Sequence, residues 1–219
     1  MIPRTITKKI DINKLLLNTI DMTLGAGELI LSFYKTSYKR YFKKDGSVVT
    51  EADFASNRYI KERIKRFSKF PILTEEGRDN KKRLKSKYVW IVDPLDGTRE
   101  FIKRTGNFGV SIALCKNRKP ILGVIYFPTK KELVYAVEGM GAFSLLKNGE
   151  REAVHVSREL KGSVKKIVFA PVFSKFEDFF LKVGGVEILR KSGFVSKARL
   201  LSNGSVDIFI HPIHKKYPI

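Results

Sequence analysis

The sequence feature that most constrains the fold is an apolar run that ends in an acidic turn. The run Tyr88–Val92 consists of aromatic and β-branched residues and predicts a buried strand. The turn after it reads DPLDGT. Pro94 fixes one φ angle and Gly97 permits an unusual one, so this turn can hold Asp93 and Asp96 rigidly.

The same turn carries oxygen ligands suited to a hard divalent cation. Asp93 and Asp96 are three residues apart at a strand end, so their carboxylates can point into one small volume. Mg²⁺ prefers such ligands. Thr98 adds a hydroxyl group, and the backbone N–H groups around Gly97 and Thr98 can face an anion. The turn therefore predicts a metal and phosphate site.

A second acidic pair, Glu75 and Glu76, follows another short apolar strand, Pro71–Leu73. Each acidic cluster alone is weak evidence, because Asp, Pro and Gly favour turns for local reasons and most Glu-Glu pairs are solvated. Together, and each behind an apolar strand, the two clusters favour a metal-dependent phosphatase.

Several segments, in this order, resemble the inositol monophosphatase family, a family of lithium-sensitive, Mg²⁺-dependent phosphatases. The segments are Asp45–Asp53, Leu73–Glu76, Trp90–Leu114 and Lys119–Tyr126. The third of these is similar to the bacterial 3'(2'),5'-bisphosphate nucleotidases of that family. Inositol phosphatases usually carry a different sequence after DGT. The likeness runs from about Leu15 to about Ile210.

The resemblance implies an α+β fold, the layered αβαβα sugar-phosphatase fold, but one family motif is missing. The family has a later Trp-Asp motif whose aspartate holds a second metal and contacts substrate, whereas the only tryptophan here is Trp90. Asp207 matches a position in the strand before that motif and is not the missing ligand. We therefore expect a chain truncated at its C-terminus that lacks the last strand and helices of the fold. The glycine-serine segment before the last family helix is also altered, to Gly193-Phe194-Val195.

The resemblance also implies a role for each site residue. Glu75, Asp93 and the backbone carbonyl of Leu95 would hold one Mg²⁺. Asp93 and Asp96 would share a second ion, more weakly than in the family because the later aspartate is missing. Glu75 and Thr98 would orient the attacking water as catalytic residues. The substrate contacts would come from Glu75, Leu95, Asp96, Gly97 and Thr98.

Some residues keep two interpretations. Asp53 would pair with Thr98 in catalysis, but Thr50, three residues before it, also indicates a helix capping box, and the two roles are compatible. Glu76 is either a support for the metal ligands or plain surface. The segment Arg99–Phe101 either contacts substrate or forms the first turn of a helix, with the Phe101 ring in the core. No metal-binding spacing relates His155, His211 and His214.

The predicted function is removal of the 3'-phosphate of 3'-phosphoadenosine 5'-phosphate to give AMP, impaired by the missing motif. The alternatives are an inositol monophosphatase and a non-catalytic remnant that binds metal or nucleotide. We expect a small anionic phosphate as partner, and a homodimer is compatible with the resemblance. Although the formal net charge is +21, the basic residues are scattered and accompany no nucleic-acid motif, which argues against specific nucleic-acid binding.

Composition predicts a cytoplasmic protein, and the resemblance implies a bacterial one, with association at a membrane surface left open. Cys115 is the only cysteine, which fits a reducing compartment. The basic N-terminus lacks the apolar region of a signal peptide, and no stretch reaches the roughly 20 apolar residues of a membrane span.

Periodicity predicts the main elements. A helix should run from Lys14 to about Tyr34, capped by Asp11 or Asn13, and a second should open at Thr50 and reach about Phe67. Gly109 to Leu146 should form an antiparallel meander, and a short helix should lie near 177–183. The expected organisation is an N-terminal extension (1–13), a metal and phosphate subdomain (14–157) and a truncated α/β subdomain (158–219).

Overall fold

Most strands in the part of the chain that the structure describes belong to two β-sheets. The structure, a computed structural model, describes residues 10–77, 79–146, 149–157, 166–169, 182 and 186–210. In chain order the elements are α1 (Ile12–Tyr34), β1 (Arg40–Phe42), β2 (Val48–Thr50), α2 (Glu51–Phe67), β3 (Ile72–Thr74), a 3₁₀ helix (Lys81–Lys85), β4 (Tyr88–Asp96), α3 (Thr98–Ile102), β5 (Gly109–Lys116), β6 (Lys119–Phe127), β7 (Glu132–Val137), β8 (Gly141–Leu145), β9 (Arg151–Ala153), β10 (Lys166–Phe169), β11 (Glu187–Arg190), α4 (Phe194–Ser202) and β12 (Ile208–Ile210).

The larger sheet has seven strands in the order β3-β4-β5-β6-β7-β8-β9. β3 is parallel to β4, and every later neighbour is antiparallel, which confirms the predicted meander. In the smaller sheet β10 lies between β11 and β12 and is parallel to both. β1 and β2 form a separate antiparallel hairpin.

The predicted strand at Tyr88–Val92 is longer in the structure, because β4 continues into the acidic turn as far as Asp96. Asp93 pairs with Ser111 and Asp96 pairs with Gly109, with an irregular register between them. Such a bulge lets Pro94 sit inside a strand, where it could not donate to a regular ladder. The bulge re-aims the carboxylates at the strand end.

Helices α1 and α2 cover one face of the larger sheet. α1 begins at Ile12, two residues earlier than predicted, and its cap is Asp11, whose Oδ1 accepts from the Lys14 N–H at 3.0 Å. A methyl group on Gly27 would come within 2.4 Å of the Tyr126 ring, so only glycine lets α1 lie this close to β6. α2 begins directly after Thr50, as the capping box predicted.

The apolar face of α1 belongs to the protein core. Met22, Ala26 and Ile30 are buried there with Trp90 of β4. Among the described residues, α1 is the one helix that is long and apolar enough to cross a membrane. This is weak evidence for a membrane span, because a buried core helix meets the same criteria.

The Arg99–Phe101 segment forms the first turn of α3, and Phe101 has no exposed surface. Its ring packs against Tyr34, Tyr38 and Phe108. Of the two interpretations of Phe101, the core role therefore holds. Glu100 is buried and accepts from the Thr105 hydroxyl at 2.6 Å, which gives this carboxylate a structural partner.

The β1–β2 hairpin was not predicted as strands. All three residues of β1 are exposed, so no apolar alternation marks it. Asp45-Gly46, between Tyr41-Phe42 and Val48-Val49, is nevertheless a recognisable hairpin signal. Of the predicted helix near 177–183, the structure describes Lys182 alone. The segment beyond 210, with His211 and His214, lies outside the described residues.

Candidate metal and phosphate site

The two acidic clusters meet at one edge of the larger sheet. β3 and β4 are parallel, with Thr74 opposite Val92. The Glu75 N–H donates to the Val92 carbonyl at 3.2 Å, so Glu75 follows its strand beside Asp93. The carboxyl ends of parallel strands are a common place for ligand sites. The strand register therefore brings together two motifs that are separate in the sequence.

Asp53 serves two partners with its two carboxylate oxygens. Oδ2 accepts from the N–H of Thr50 at 2.8 Å and from its hydroxyl at 2.6 Å, which completes the capping box. Oδ1 accepts from the Thr98 hydroxyl at 2.9 Å. Burial raises the pKa of Asp53, although the hydrogen bonds from Thr50 and Thr98 oppose this. The cap and the Asp53–Thr98 contact are thus compatible.

Asp96 connects the acidic turn to α4. Its Oδ1 accepts from the Phe194 N–H and its Oδ2 from the Val195 N–H, each at 3.0 Å. Gly193 precedes the helix with φ of 77°, and a Cβ atom there would lie 3.0 Å from Asp96 Oδ2. Burial raises the pKa of Asp96, while these two N–H groups and the charge of Lys197 oppose the rise.

The Asp93 carboxylate accepts fewer hydrogen bonds than that of Asp96. The backbone N–H of Leu95 donates to its Oδ1 at 3.2 Å. Burial, followed by the charges of Asp96 and Glu75, holds the pKa of Asp93 well above its ordinary value. Because the raised pKa comes from burial and neighbouring anions, a cation at this carboxylate would relieve both costs.

Glu76 and Glu75 share Lys43, which projects from the β1–β2 hairpin. Lys43 Nζ lies 2.6 Å from Glu76 Oε1 and 3.2 Å from Glu75 Oε1. The Glu76 side chain is 6% exposed and that of Glu75 53%, so the surface interpretation of Glu76 is wrong. Burial raises the pKa of Glu76 despite the Lys43 hydrogen bond. Burial alone would lower the pKa of Lys43, but Glu76 and Glu75 together raise it.

A buried lysine, Lys197, lies near Asp96 and was missed by the sequence interpretation. It is 2% exposed, and its ammonium group donates to the carbonyl of Gly193. Burial lowers the pKa of Lys197, against the charge of Asp96. A single lysine in a basic sequence carries no local signal of burial, so only the fold could identify it.

The oxygen donors of this site suit Mg²⁺, although their side chains do not all converge on one point. Among the residues that the structure describes, no three His, Cys, Asp or Glu side chains form a ready metal cluster. The Glu75 carboxylate is instead turned toward Lys43. Burial raises the pKa of Asp93 and of Asp96, and nearby carboxylates raise both further. Carboxylate oxygens are the ligands that a hard divalent cation prefers.

The sequence and the fold are those of a known class of phosphatase. The chain belongs to the inositol monophosphatase family, whose sequence model matches residues 13–208. It is 38% identical over 132 residues to the 3'(2'),5'-bisphosphate nucleotidase CysQ of Aggregatibacter actinomycetemcomitans, a match that covers 59% of this chain and 49% of that protein. It is 30% identical to CysQ of Haemophilus influenzae over 212 residues, which cover 91% of this chain and 76% of that protein.

Solved structures of the same family are also similar to this chain. The crystal structure of CysQ from Bacteroides thetaiotaomicron matches with a TM-score of 0.72 and 36% identity, covering 90% of this chain and 79% of that one. The Thermotoga maritima IMPase matches with a TM-score of 0.74 and 30% identity, covering 90% of this chain and 75% of that one. The match to the first relative above spans about half of that protein's length, 49%.

Proposed function

We propose that this protein is a Mg²⁺-dependent phosphomonoesterase that removes the 3'-phosphate of 3'-phosphoadenosine 5'-phosphate. The observation that carries this proposal is the Asp53–Thr98 hydrogen bond of 2.9 Å beside the carboxylates of Asp93 and Asp96. The likeness to proteins named as 3'(2'),5'-bisphosphate nucleotidases supports the choice of substrate.

The chain's own carboxylates would hold the metal. Glu75, Asp93 and the Leu95 carbonyl would bind one ion, and Asp93 and Asp96 would bind a second. Bound Mg²⁺ would lower the pKa of its water and offset charge on the phosphoryl oxygens. Glu75 would exchange its contact with Lys43 for this role.

Thr98 would orient the attacking water. Because its hydroxyl hydrogen is directed to Asp53 Oδ1, the Thr98 oxygen is available as an acceptor for a proton of the water. That arrangement would turn a lone pair of the water toward phosphorus. The raised pKa of Asp53 suits a carboxylate that takes up a proton beside the reaction. The backbone around Asp96, Gly97 and Thr98 would contact the substrate phosphate.

We further propose that these 219 residues, by themselves, hydrolyse the substrate slowly. Their one tryptophan, Trp90, is followed by Ile91, so the sequence contains no Trp-Asp pair. Loss of one group that stabilises transition-state charge commonly costs about 10² to 10³ in rate. A chain that binds metal or nucleotide without hydrolysis is the second candidate, and the missing pair is the observation that favours it.

A substrate panel tests the proposal. Phosphate release is measured from 3'-phosphoadenosine 5'-phosphate and from inositol 1-phosphate, in Mg²⁺, with Asp93→Asn as the control. Release from the nucleotide that Asp93→Asn abolishes is the expected result. Release from inositol 1-phosphate alone would contradict the nucleotidase proposal, and no release from a folded preparation would favour the non-catalytic candidate.

A further inference from the structure

Basic side chains that look scattered in the sequence are gathered by the fold at one end of the larger sheet. We name this surface the basic pole. It is formed by the end of α2, by the residues just before β4 and by the β5–β6 turn, and these three segments contain no aspartate or glutamate. Its eight cationic side chains are all exposed: Lys65, Arg66, Lys69, Lys85, Lys87, Lys116, Arg118 and Lys119.

Direct contacts hold the three segments of the basic pole together. The ring of Phe70, just after α2, stacks on the ring of Tyr88 in β4, with 4.8 Å between the ring centroids. In the β5–β6 turn the Asn117 N–H donates to the Lys87 carbonyl at 2.8 Å. The cations therefore share one continuous surface, although they come from three separate parts of the chain.

The protein does little to neutralise this charge. Among the described residues, none of the eight cationic groups forms an ion pair. On the adjoining helical turns, Asp21 is already paired with Arg63, and Glu62 is exposed. Glu138, beside β6, is exposed as well. Concentrated like charge repels itself, so the excess at the basic pole favours a polyanionic partner.

The β5–β6 turn places an arginine where glycine is the ordinary residue. Its two loop residues, Asn117 and Arg118, both have a left-handed backbone, with φ of 50° and 66°. Two-residue hairpin loops of this kind prefer Asn-Gly, because a Cβ atom is strained in this conformation. Arg118 thus costs stability while it holds a guanidinium group at the tip of the hairpin. Strain of this sort is common at functional sites.

The make-up of the basic pole narrows the kind of polyanion. Interfaces with proteins are depleted in lysine, and stable attachment to a membrane needs an apolar anchor besides basic residues. Among the described residues, Leu84 is the one exposed large apolar side chain next to the pole. Phe70 and Tyr88 are partly buried and stack on each other, so they offer unpaired bases no free ring. The phosphate backbone of a duplex needs only cationic contacts.

We propose that the basic pole binds the phosphate backbone of duplex nucleic acid without sequence preference. This function is separate from the proposed hydrolysis, because the pole and the carboxylates lie at opposite ends of β4. At roughly 3.3 Å per residue of strand, Lys87 is about 20 Å from Asp93. Salt screens exposed charges over about 10 Å, so the pole acts mainly on a ligand of its own.

Fluorescence anisotropy of two labelled, unrelated DNA duplexes of about 20 base pairs tests the proposal with the full chain in EDTA. Both should bind alike, with a binding constant that falls steeply as salt rises. Lys87→Gln and Lys116→Gln should each weaken binding about tenfold at about 0.1 M salt and reduce the salt slope by about one. Lys44→Gln, an exposed lysine of the β1–β2 hairpin, is the control and should change little. No binding, or an equal effect of all three variants, would overturn the proposal.

Arg118→Gly distinguishes a ligand contact from a structural role. Glycine relieves the left-handed backbone, so the melting temperature should rise by about 2 °C while duplex binding weakens about tenfold. Lys131 is the matched control, because it is exposed and has φ of 52° in the β6–β7 turn, at the other end of β6. Lys131→Gly should give a similar rise in melting temperature with unchanged binding. Weaker binding together with a lower melting temperature for Arg118→Gly would overturn its assignment.

Three competing ligands test the partner and the location. Tighter binding to vesicles of phosphatidylglycerol and phosphatidylcholine would overturn the proposal in favour of a membrane surface. Tighter binding to a single strand of the same length would overturn the preference for a duplex. Displacement of the duplex by excess 3'-phosphoadenosine 5'-phosphate in Mg²⁺ would place it at the metal and phosphate site. Unchanged duplex binding supports a separate surface, whether or not the nucleotide is hydrolysed.

Discussion

At the scale of single residues, the site depends on how each buried carboxylate is satisfied. Asp96 receives two backbone N–H groups, and Asp53 receives three donors from two threonines. Asp93 receives one N–H, at 3.2 Å. The carboxylate with the least hydrogen-bonding support is therefore the one that gains most from a bound cation.

The Asp53–Thr98 contact makes a prediction about the hydroxyl group. Thr98→Ala should lower kcat by about 10² or more, because the water loses its acceptor and Asp53 loses a donor. Thr98→Ser, which keeps the hydroxyl, should recover most of the rate. Steady-state phosphate release checks both, and equal rates for the two variants would show that the hydroxyl does not orient the water.

The raised pKa values of Asp93 and Asp96 predict how stability depends on pH. Because these groups bind protons more tightly in the folded protein, their contribution to the free energy of unfolding is fully present below the ordinary carboxylate pKa of about 4. It is lost as pH rises through the folded values. In EDTA, the free energy of unfolding should therefore decrease as pH rises above about 4.

Mg²⁺ should reverse this loss, since the ion replaces the proton at these oxygens. Asp93→Asn serves as the reference, because it removes one titrating group and should be more stable than the native protein in EDTA near neutral pH. Chemical denaturation across this pH range measures the difference. A difference between the two proteins that does not change with pH would contradict the raised pKa of Asp93.

At the scale of elements, some parts of the site follow from local sequence and others do not. β4 and its turn were predictable because an apolar run, a proline and a glycine are adjacent in the chain. The Asp96–Phe194 hydrogen bond joins residues 98 positions apart, and Lys43 reaches Glu76 across 33. These contacts depend on how strands and helices pack, which no local pattern specifies.

The β1–β2 hairpin supports the site through Thr50, which donates to Asp53, and through Lys43, which pairs with Glu76 and Glu75. Lys43→Gln should destabilise the metal-free protein by about 1–3 kcal/mol, because the Glu76 carboxylate is left buried without its charge partner. Lys44→Gln, on the exposed neighbour, should change stability little. Denaturant unfolding in EDTA compares the two variants, and an equal effect would show that the pair contributes nothing.

At the scale of the whole molecule, the net charge of +21 bears on how substrate arrives. A positive field attracts a phosphorylated ligand and weakens as salt screens it. We expect kcat/KM for 3'-phosphoadenosine 5'-phosphate to fall several-fold between about 0.05 and about 0.5 M salt, with kcat nearly constant. A parallel fall in kcat would place the effect of salt on the chemistry and not on the encounter.

More of the fold than of the site's chemistry could be predicted from the sequence. The motif order identified the family, and the seven-stranded sheet and the helices over it agree with that expectation. The cavity between α4 and the β6–β7 turn was not predictable, because its cationic residues Lys130, Lys191 and Arg199 are far apart in the sequence and look like ordinary surface charge there. The subdomain boundaries and the roles of the metal ligands remain predictions.

The most direct test of the central claim is phosphate release from 3'-phosphoadenosine 5'-phosphate as a function of Mg²⁺ concentration, in the native protein and in Asp93→Asn. We predict release that saturates with Mg²⁺ in the native protein and is absent from the variant at every concentration. Release that is independent of Mg²⁺, or equal in the two proteins, would contradict a metal-dependent phosphatase site at Asp93.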